Sequence, residues 1–563
     1  MEKVWLKKYD PGVPHEIELP GKTIPQLFQE TVRRFPQHTH LRFMLAGYTY
    51  GEVDKLSNRF AHMLKDMGMK KGCRVALNLP NCPQFVIAYI GALKAGCTVI
   101  PCNPLYTERE MLHQLNDCEA EIMVTMSRFY PKIRKLKDRT GIKTIISTSI
   151  KDYFPGFLKV IYTLFKEVKE GDRVPVQEGD HQWTDILPKY PDTPVPDPGV
   201  DVNDPACFLY TGGTTGLSKG AVLSHKNLAT NAMQIFSWKS DAEEGKEIGL
   251  ALIPFFHSFG MSTCLNLSLL YCGTMILIPH FDLQMVLRAI QREKPTLFPA
   301  VPTIYTAIIN APNLKKYDMS SLEFCISGAA PLPEEVHRRF TELTGSLLGE
   351  GYGLTETSPV THCNPVFGSQ KIGSIGLPFP NTLAKIVDMD DPSIDMPIGE
   401  EGELVIKGPQ VMSGYLNRPE ENKEAFHDGW LLTGDIGKMD EDGFFYIVDR
   451  QKDMIIAGGL NIYPREIEEV LYAHNKVKEA CVVGIPHEYR GETVKAFIVP
   501  RDGETLTEAE IKEFCQENLV KYKVPKIYEF RDELPMSLVG KVLRRVLLEE
   551  EQAKQKDDKK MSS

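Results

Sequence analysis

A chain of 563 residues, 42% hydrophobic and 25% charged, has ample length for several cores and the composition of a globular enzyme, which excludes the disordered and collagenous classes. Its formal net charge of -10 argues against a general nucleic-acid binder, because such proteins carry a basic excess that displaces phosphate counterions. Its twelve cysteines form no CxxC pair and no zinc-type Cys/His spacing, so they read as reduced core thiols of a cytoplasmic protein, and the charged first ten residues lack the apolar run of an export signal.

From residue 50 to about 435, helical periods alternate with short apolar strands at 74–78, 98–101 and 274–278. That alternation predicts βαβ units in mainly parallel sheets with helices on both faces. Phe157, Val160, Ile161, Leu164, Phe165 and Val168 recur at helical spacing, with Lys159, Lys166 and Lys169 on the other side. Such a helix either packs into the core or rests on a membrane surface. The Pro-, Asp- and Gly-rich stretch 171–200 predicts an exposed connection to a strand at 206–210. Residues 258–279 are uncharged and long enough to raise the question of a membrane span, but their polar residues and the break at Tyr271-Cys272-Gly273 predict a buried helix, turn and strand.

Beyond 443 the texture changes to a smaller α+β unit, with strands at 444–448, 480–483 and 494–499 and a helix from Pro464. Thr507 with Glu510 predicts a capping box. These signals divide the chain near Asp449, into 1–449 and 450–563, and leave 554–563 as a frayed polar tail.

The segment 210–220, Tyr-Thr-Gly-Gly-Thr-Thr-Gly-Leu-Ser-Lys-Gly, directly follows an apolar strand. Gly212, Gly213 and Gly216 let backbone approach a polyanion, Thr211, Thr214 and Thr215 supply hydroxyl donors, and Lys219 adds positive charge. It is a phosphate cradle but not a Walker A loop: the only Gly-Lys-Thr, Gly21-Lys22-Thr23, has Glu16 where the first glycine should stand.

This loop resembles the phosphate-loop signature of the adenylate-forming superfamily, which includes acyl-CoA synthetases, peptide-synthetase adenylation domains and luciferases. Further motifs follow in the family's order over nearly the whole chain. The turn Gly328-Ala329-Ala330-Pro331 resembles the adenine-contacting segment. In Gly351-Tyr352-Gly353-Leu354-Thr355-Glu356 the resemblance implies that Tyr352 covers the adenine, Thr355 meets the α-phosphate and Glu356 binds Mg²⁺. By the same likeness Asp435 and Arg450 contact the ribose, Lys452 marks the hinge, and Gly458 and Gly459 let a pantetheine arm pass. Lys541, in Gly540-Lys541-Val542, takes the place of the catalytic lysine that bridges acid and α-phosphate, and His257 lies at the position beside the acyl carboxylate. Taken alone, an isolated lysine is usually a solvated surface residue and a histidine on an apolar segment is commonly a hydrogen-bonded core residue.

The resemblance implies an α/β fold: a large N-terminal domain of βαβ-type sheets flanked by helices, a smaller β-barrel-like part, and a small mobile α+β C-terminal domain with its hinge at 449–453. The run 428–443, continuing to Asp449-Arg450-Gln451-Lys452, resembles the signature of fatty-acyl-CoA synthetases, and across most of its length the chain is similar to bacterial long-chain fatty-acid–CoA ligases. The implied substrates are a fatty acid, ATP and coenzyme A, with Mg²⁺ as metal. The enzyme is then expected in the cytoplasm, with peripheral membrane contact through 157–168 and oligomerisation open. Competing expectations are an acyl-AMP ligase loading a separate carrier protein, a ligase for a shorter or aromatic acid, and a non-catalytic sensor; intact Lys541, Glu356 and phosphate loop weigh against the last.

Overall fold

Every residue of the helix Pro83–Lys94 is buried, as a helix apolar on all sides requires. The computed structural model describes residues 3–211, 218–457, 460–487, 491–537 and 541–561, and this helix belongs to its largest core. That core contains Leu41 and Phe43 of one sheet and Val75 and Leu77 of another. Nine strands form the first sheet, with the parallel run Ile248–Ala251, Thr274–Leu277, Leu297–Ala300, Phe324–Ser327 and Leu347–Gly353 at its centre. Seven form the second, in which Thr144–Thr148, Ile122–Met126, Arg74–Asn78, Thr98–Pro101 and Pro205–Thr211 run parallel.

A third, five-stranded sheet is antiparallel and ends at Phe445–Arg450. It forms the smaller β-rich part of the molecule. The fourth, beginning at Ile455–Ala457, carries the helices Pro464–Ala473 and Glu508–Asn518 and its own core around Ile467 and Ile498. The mixed α/β architecture expected from the alternation is therefore present. Residues 258–277 are a buried run of helix followed by the strand Thr274–Leu277. Among the described residues no helix is long and apolar enough to cross a membrane.

Two local expectations need correction, and a third gains a detail. The polar tail is not frayed: the helix Arg544–Met561 runs through it, and Lys554 pairs with Glu551 and Glu529 to tie the helix to the strand Ile527–Phe530. Thr507 caps its helix by accepting from the Glu510 amide, but the Glu510 carboxylate meets Lys476 at 2.8 Å, a charged partner, instead of reaching back to the cap. The stretch 171–200 is largely exposed, as expected, but it is pinned at one point, where Trp183 is buried against Phe60 at 5.3 Å between ring centroids.

Helices Tyr50–Asp66 and Pro83–Lys94 approach most closely at Gly91, where an added Cβ would lie 2.7 Å from the Ser57 carbonyl oxygen and 2.9 Å from the Phe60 Cβ. Helix propensity alone favours alanine over glycine by roughly 1 kcal/mol, whereas overpacking costs about 1–3 kcal/mol. The backbone clash cannot be relieved by a side-chain rotation, so packing wins. Gly91→Ala is expected to lower the apparent thermal midpoint by several degrees; an unchanged or raised midpoint in a melting curve would contradict this packing.

Candidate active site

The strands Pro205–Thr211 and Lys219–Ser224 pair antiparallel, with Thr211 opposite Lys219. They hold the two ends of the glycine-rich loop side by side. Gly212, Gly213, Thr214, Thr215 and Gly216 lie outside the described residues, as do Gly458 and Gly459. The hairpin is fixed from both flanks. On one side the Tyr210 ring lies over Gly220, so that a side chain there would have to push the ring aside by a few tenths of an ångström, and its hydroxyl donates to Asp117 at 2.7 Å. On the other, Val222 donates to the Gly414 carbonyl at 2.9 Å and Leu416 to that of Gly220 at 2.8 Å.

This second seam delivers Tyr415, a residue that no sequence signal singled out. Its hydroxyl donates to Glu356 at 2.7 Å, and the Lys219 ammonium lies 5.2 Å from its ring centroid. The carboxylate and the cation expected to meet phosphates and metal thus flank one aromatic ring. Glu356 and Thr355 sit in the turn Thr355–Thr357, held by the Met412 amide donating to the Glu356 carbonyl at 2.8 Å. Among the described residues no group of three or more His, Cys, Asp or Glu is arranged to hold a metal. A magnesium ion that arrives on nucleotide phosphates needs only one or two protein carboxylates, and the hard oxygens of Glu356 fit that role.

The turn 328–331 follows the strand Phe324–Ser327. Gly328 lies against the Phe259 ring and Ala329 takes a left-handed φ of +67°. Beside it, the strand Leu347–Gly353 carries Tyr352 and then Gly353, where a Cβ would fall 2.0 Å from the Pro359 carbonyl oxygen. Only glycine fits there. The Tyr352 hydroxyl donates to Asp435 at 2.5 Å, and the Arg450 guanidinium pairs with the other Asp435 oxygen at 2.9 Å. The antiparallel register sets Asp435 opposite Arg450. Asp435 is 2% exposed, yet a carboxylate offers about four acceptor positions, so two engaged partners leave capacity for ribose hydroxyls.

Lys541 enters this neighbourhood from the far end of the chain. A short bridge between Met536 and Val542 and the Ser537 amide donating to the Lys541 carbonyl at 2.8 Å fix its backbone. Burial, then the charge of Arg450, lowers its pKa to about 8, while Asp435 acts in the opposite direction. His257, at the start of Ser258–Gly260, accepts from the Phe259 amide through Nδ1 at 3.2 Å. Burial, reinforced by the Lys541 charge, lowers its pKa to about 4. It is therefore a neutral imidazole at pH 7 whose proton resides on Nε2. Such a ring can donate a hydrogen bond to a carboxylate.

Asp449 clasps the junction beyond this site: one oxygen accepts from the Arg450 amide at 2.7 Å and the other from the Arg465 amide at 2.9 Å. Arg544 adds a second tie, meeting Asp453 at 3.1 Å and Glu468 at 2.7 Å. Lys452 is exposed on the intervening turn Gln451–Asp453. Leu252, Ile253, Pro254 and Phe256, in the segment leading to His257, form part of the wall of a groove of about 1380 Å³, lined further by Phe43, Met126, Ile278 and Ile304. That volume exceeds the roughly 300–1,000 Å³ of ordinary small-molecule sites.

The family model for AMP-binding enzymes matches residues 28–416, and that for the AMP-binding enzyme C-terminal domain matches 466–541. A long-chain-fatty-acid–CoA ligase of Bacillus subtilis is 45% identical over 551 residues, covering 98% of both chains. The structure of ATP-bound MatB from Rhodopseudomonas palustris aligns with a TM-score of 0.82 at 30% identity, covering 94% of this chain and 99% of that one. The anthranilate CoA ligase AuaEII in complex with anthranoyl-AMP aligns with a TM-score of 0.83 at 26% identity, covering 94% and 97%.

A lysine whose pKa is lowered to about 8 is charged below that value and loses its proton as the pH rises through it. Competitive acylation read by mass spectrometry is expected to label Lys541 with a midpoint near 8, well ahead of surface lysines such as Lys143. Labelling in step with the surface lysines would show that the site does not depress it.

Proposed function

The chain belongs to the AMP-binding enzyme family, and from that premise we propose that it is an AMP-forming ligase joining a long-chain fatty acid to coenzyme A. The observation that carries this reading is the convergence of Lys541, the Asp435–Arg450 pair and His257, which come from separate parts of the sequence, into one charged neighbourhood. In the first half-reaction a fatty carboxylate oxygen attacks the α-phosphorus of ATP, forming acyl-adenylate and releasing diphosphate. Two anionic reactants repel each other, and the Lys541 ammonium between them lowers that barrier while holding them together. His257 orients the acid through its Nε2 proton. Tyr352 and the turn 328–331 receive the adenine, Asp435 and Arg450 the ribose, and Thr355 and the glycine-rich loop with Lys219 the phosphates.

Glu356 would hold the magnesium that accompanies the nucleotide, and when bound that ion would supply charge neutralisation at the phosphates. Tyr415 orients the Glu356 carboxylate for that task. In the second half-reaction the thiol of coenzyme A attacks the acyl carbonyl, the proton leaves to solvent and AMP departs. We assign residues 1–449 to the adenylation domain and 450–563 to the small domain, which turns about 449–453 between the two halves and brings 458–459 to the pantetheine arm. The large, mainly apolar groove, whose wall includes Phe256 next to His257 in sequence, suits a long acyl tail better than a short or aromatic acid.

Peripheral membrane contact is part of this proposal, and an inverted helix supports it. Gly156–Phe165 has no buried residue, and its apolar face looks outward: Leu164 is 71% and Phe165 74% exposed. Its inner side is anchored by polar contacts instead, with Tyr162 donating to Asp172, itself held by Arg128, and Thr163 accepting from Lys151. Leu45, Leu105 and Phe281 are also exposed, and together with Leu158 and Ile161 they belong to the walls of the 1380 Å³ groove. An exposed apolar rim flanked by Lys166 and Lys169 suits an anionic lipid surface, with the enzyme on the cytoplasmic side and acyl chains entering the groove from the bilayer.

Lys541→Ala is expected to slow diphosphate release from fatty acid and ATP by about 10²–10³-fold, while thioester formation from supplied acyl-adenylate is largely kept; equal loss in both half-reactions would refute the division of labour. Changing Phe157 and Phe165 to Glu is expected to abolish cosedimentation with anionic liposomes without altering activity on detergent-solubilised acid. Unchanged cosedimentation would remove the membrane contact from the reading.

A further inference from the structure

Arg544 stands three residues after Lys541, at the start of the last helix. The segment between them is stiff. Val542 bridges Met536 in a short antiparallel pairing, the Leu543 amide donates to the Pro535 carbonyl at 2.8 Å, and the Lys541 amide donates to the Ser537 hydroxyl at 3.0 Å. Lys541 therefore lies about 10 Å along extended chain from Arg544, and whatever holds Arg544 sets where the ammonium can reach.

Two carboxylates hold it. Its Nη2 donates to both oxygens of Glu468 at 2.7 Å, and its Nη1 donates to Asp453 at 3.1 Å. The two acids stand on different elements. Glu468 belongs to the helix Pro464–Ala473, and one of its oxygens also accepts from the Val482 amide at 2.8 Å, so this arm of the fork is anchored within the small domain. Asp453 closes the turn Gln451–Asp453, assigned above to the hinge. The bidentate Glu468 pair already balances the guanidinium charge. The Asp453 side chain keeps 19% of its surface exposed, and a partly exposed pair recovers little more than the entropy spent in ordering it. What the second contact adds is a direct connection from the hinge turn to the chain that carries Lys541.

We propose that Asp453, acting through Arg544, is a positioning residue for adenylate formation, its ion pair fixing the hinge turn and Lys541 in one mutual setting. This rests on the two half-reactions assigned above. Without the pair, Arg544 stays on Glu468 but the turn settles independently of it, and a misplacement of roughly 1 Å at a reacting centre costs as much as about 100-fold in rate. Supplied acyl-adenylate bypasses the step in which Lys541 acts, so the thiol half-reaction does not depend on the pair.

The test is single-turnover diphosphate release from fatty acid and ATP by the full chain, beside thioester formation from supplied acyl-adenylate. Asp453→Ala leaves the Arg544–Glu468 pair in place. It is expected to slow diphosphate release about tenfold at saturating ATP, with the half-saturating ATP concentration and the thioester rate each within about twofold of wild type. Asp453→Glu, which keeps the charge, should recover most of the loss. Adding Asp453→Ala to Arg544→Met should cost nothing further, since both remove the same contact. Acylation of Lys541 gives a readout besides activity. Loss of the Asp453 charge alone would lower the labelling midpoint, because that carboxylate supports the ammonium; displacement from the buried site would raise it towards that of surface lysines, and a rise is expected in Asp453→Ala. An equal loss in both half-reactions, an unchanged diphosphate rate or a lowered midpoint overturns the positioning role while leaving the assigned reaction intact. Failure of the wild type to release diphosphate would instead reject the reaction, and the positioning role with it.

Discussion

The site is organised around the carboxylate of Asp435. Its two oxygens are engaged by residues that reach it along different parts of the chain, Tyr352 from the large parallel sheet and Arg450 from the last strand of the antiparallel one. A nearly inaccessible carboxylate is tolerated only where such partners offset its desolvation. That requirement fixes the mutual position of the two sheets, and with them the wall against which a nucleotide would lie. Lys541 then enters a region whose net field is already set: Arg450 opposes its charge and Asp435 supports it.

The parts of this arrangement that sequence reasoning reaches are those in which residue type and spacing carry the chemistry themselves. A strand ending in a glycine- and threonine-rich run and a tyrosine between glycines are informative because few structural purposes need those combinations. The structure supplies physical reasons for several of them, such as the contact between Gly353 and the Pro359 carbonyl. Nothing local distinguishes Tyr415 or Glu350. Each matters through a partner elsewhere in the sequence, Tyr415 through Glu356 and Glu350 through the Leu332 amide, and such pairings exist only once the chain has folded.

The helix 156–165 shows the other limit. Its periodicity predicts amphipathicity correctly, but periodicity carries no information about which face turns inward. The decision is made by Tyr162, Thr163 and Glu167, whose polar partners Asp172, Lys151 and Arg173 lie on the body of the protein. The same logic corrects the C-terminal tail: a polar sequence reads as unanchored until Glu529 and Glu551 are seen beside Lys554.

The clasp at Asp449 bears on mechanics. By gripping two amides fifteen residues apart, one carboxylate ties the end of the strand Phe445–Arg450 to the first turn of the helix Pro464–Ala473. The strands Ile455–Ala457 and Leu460–Ile462 that lie between those amides are already committed to the fourth sheet, so they have no slack to give. The freedom left at this junction is therefore confined to the short turn Gln451–Asp453, with a single side chain serving as its hinge pin.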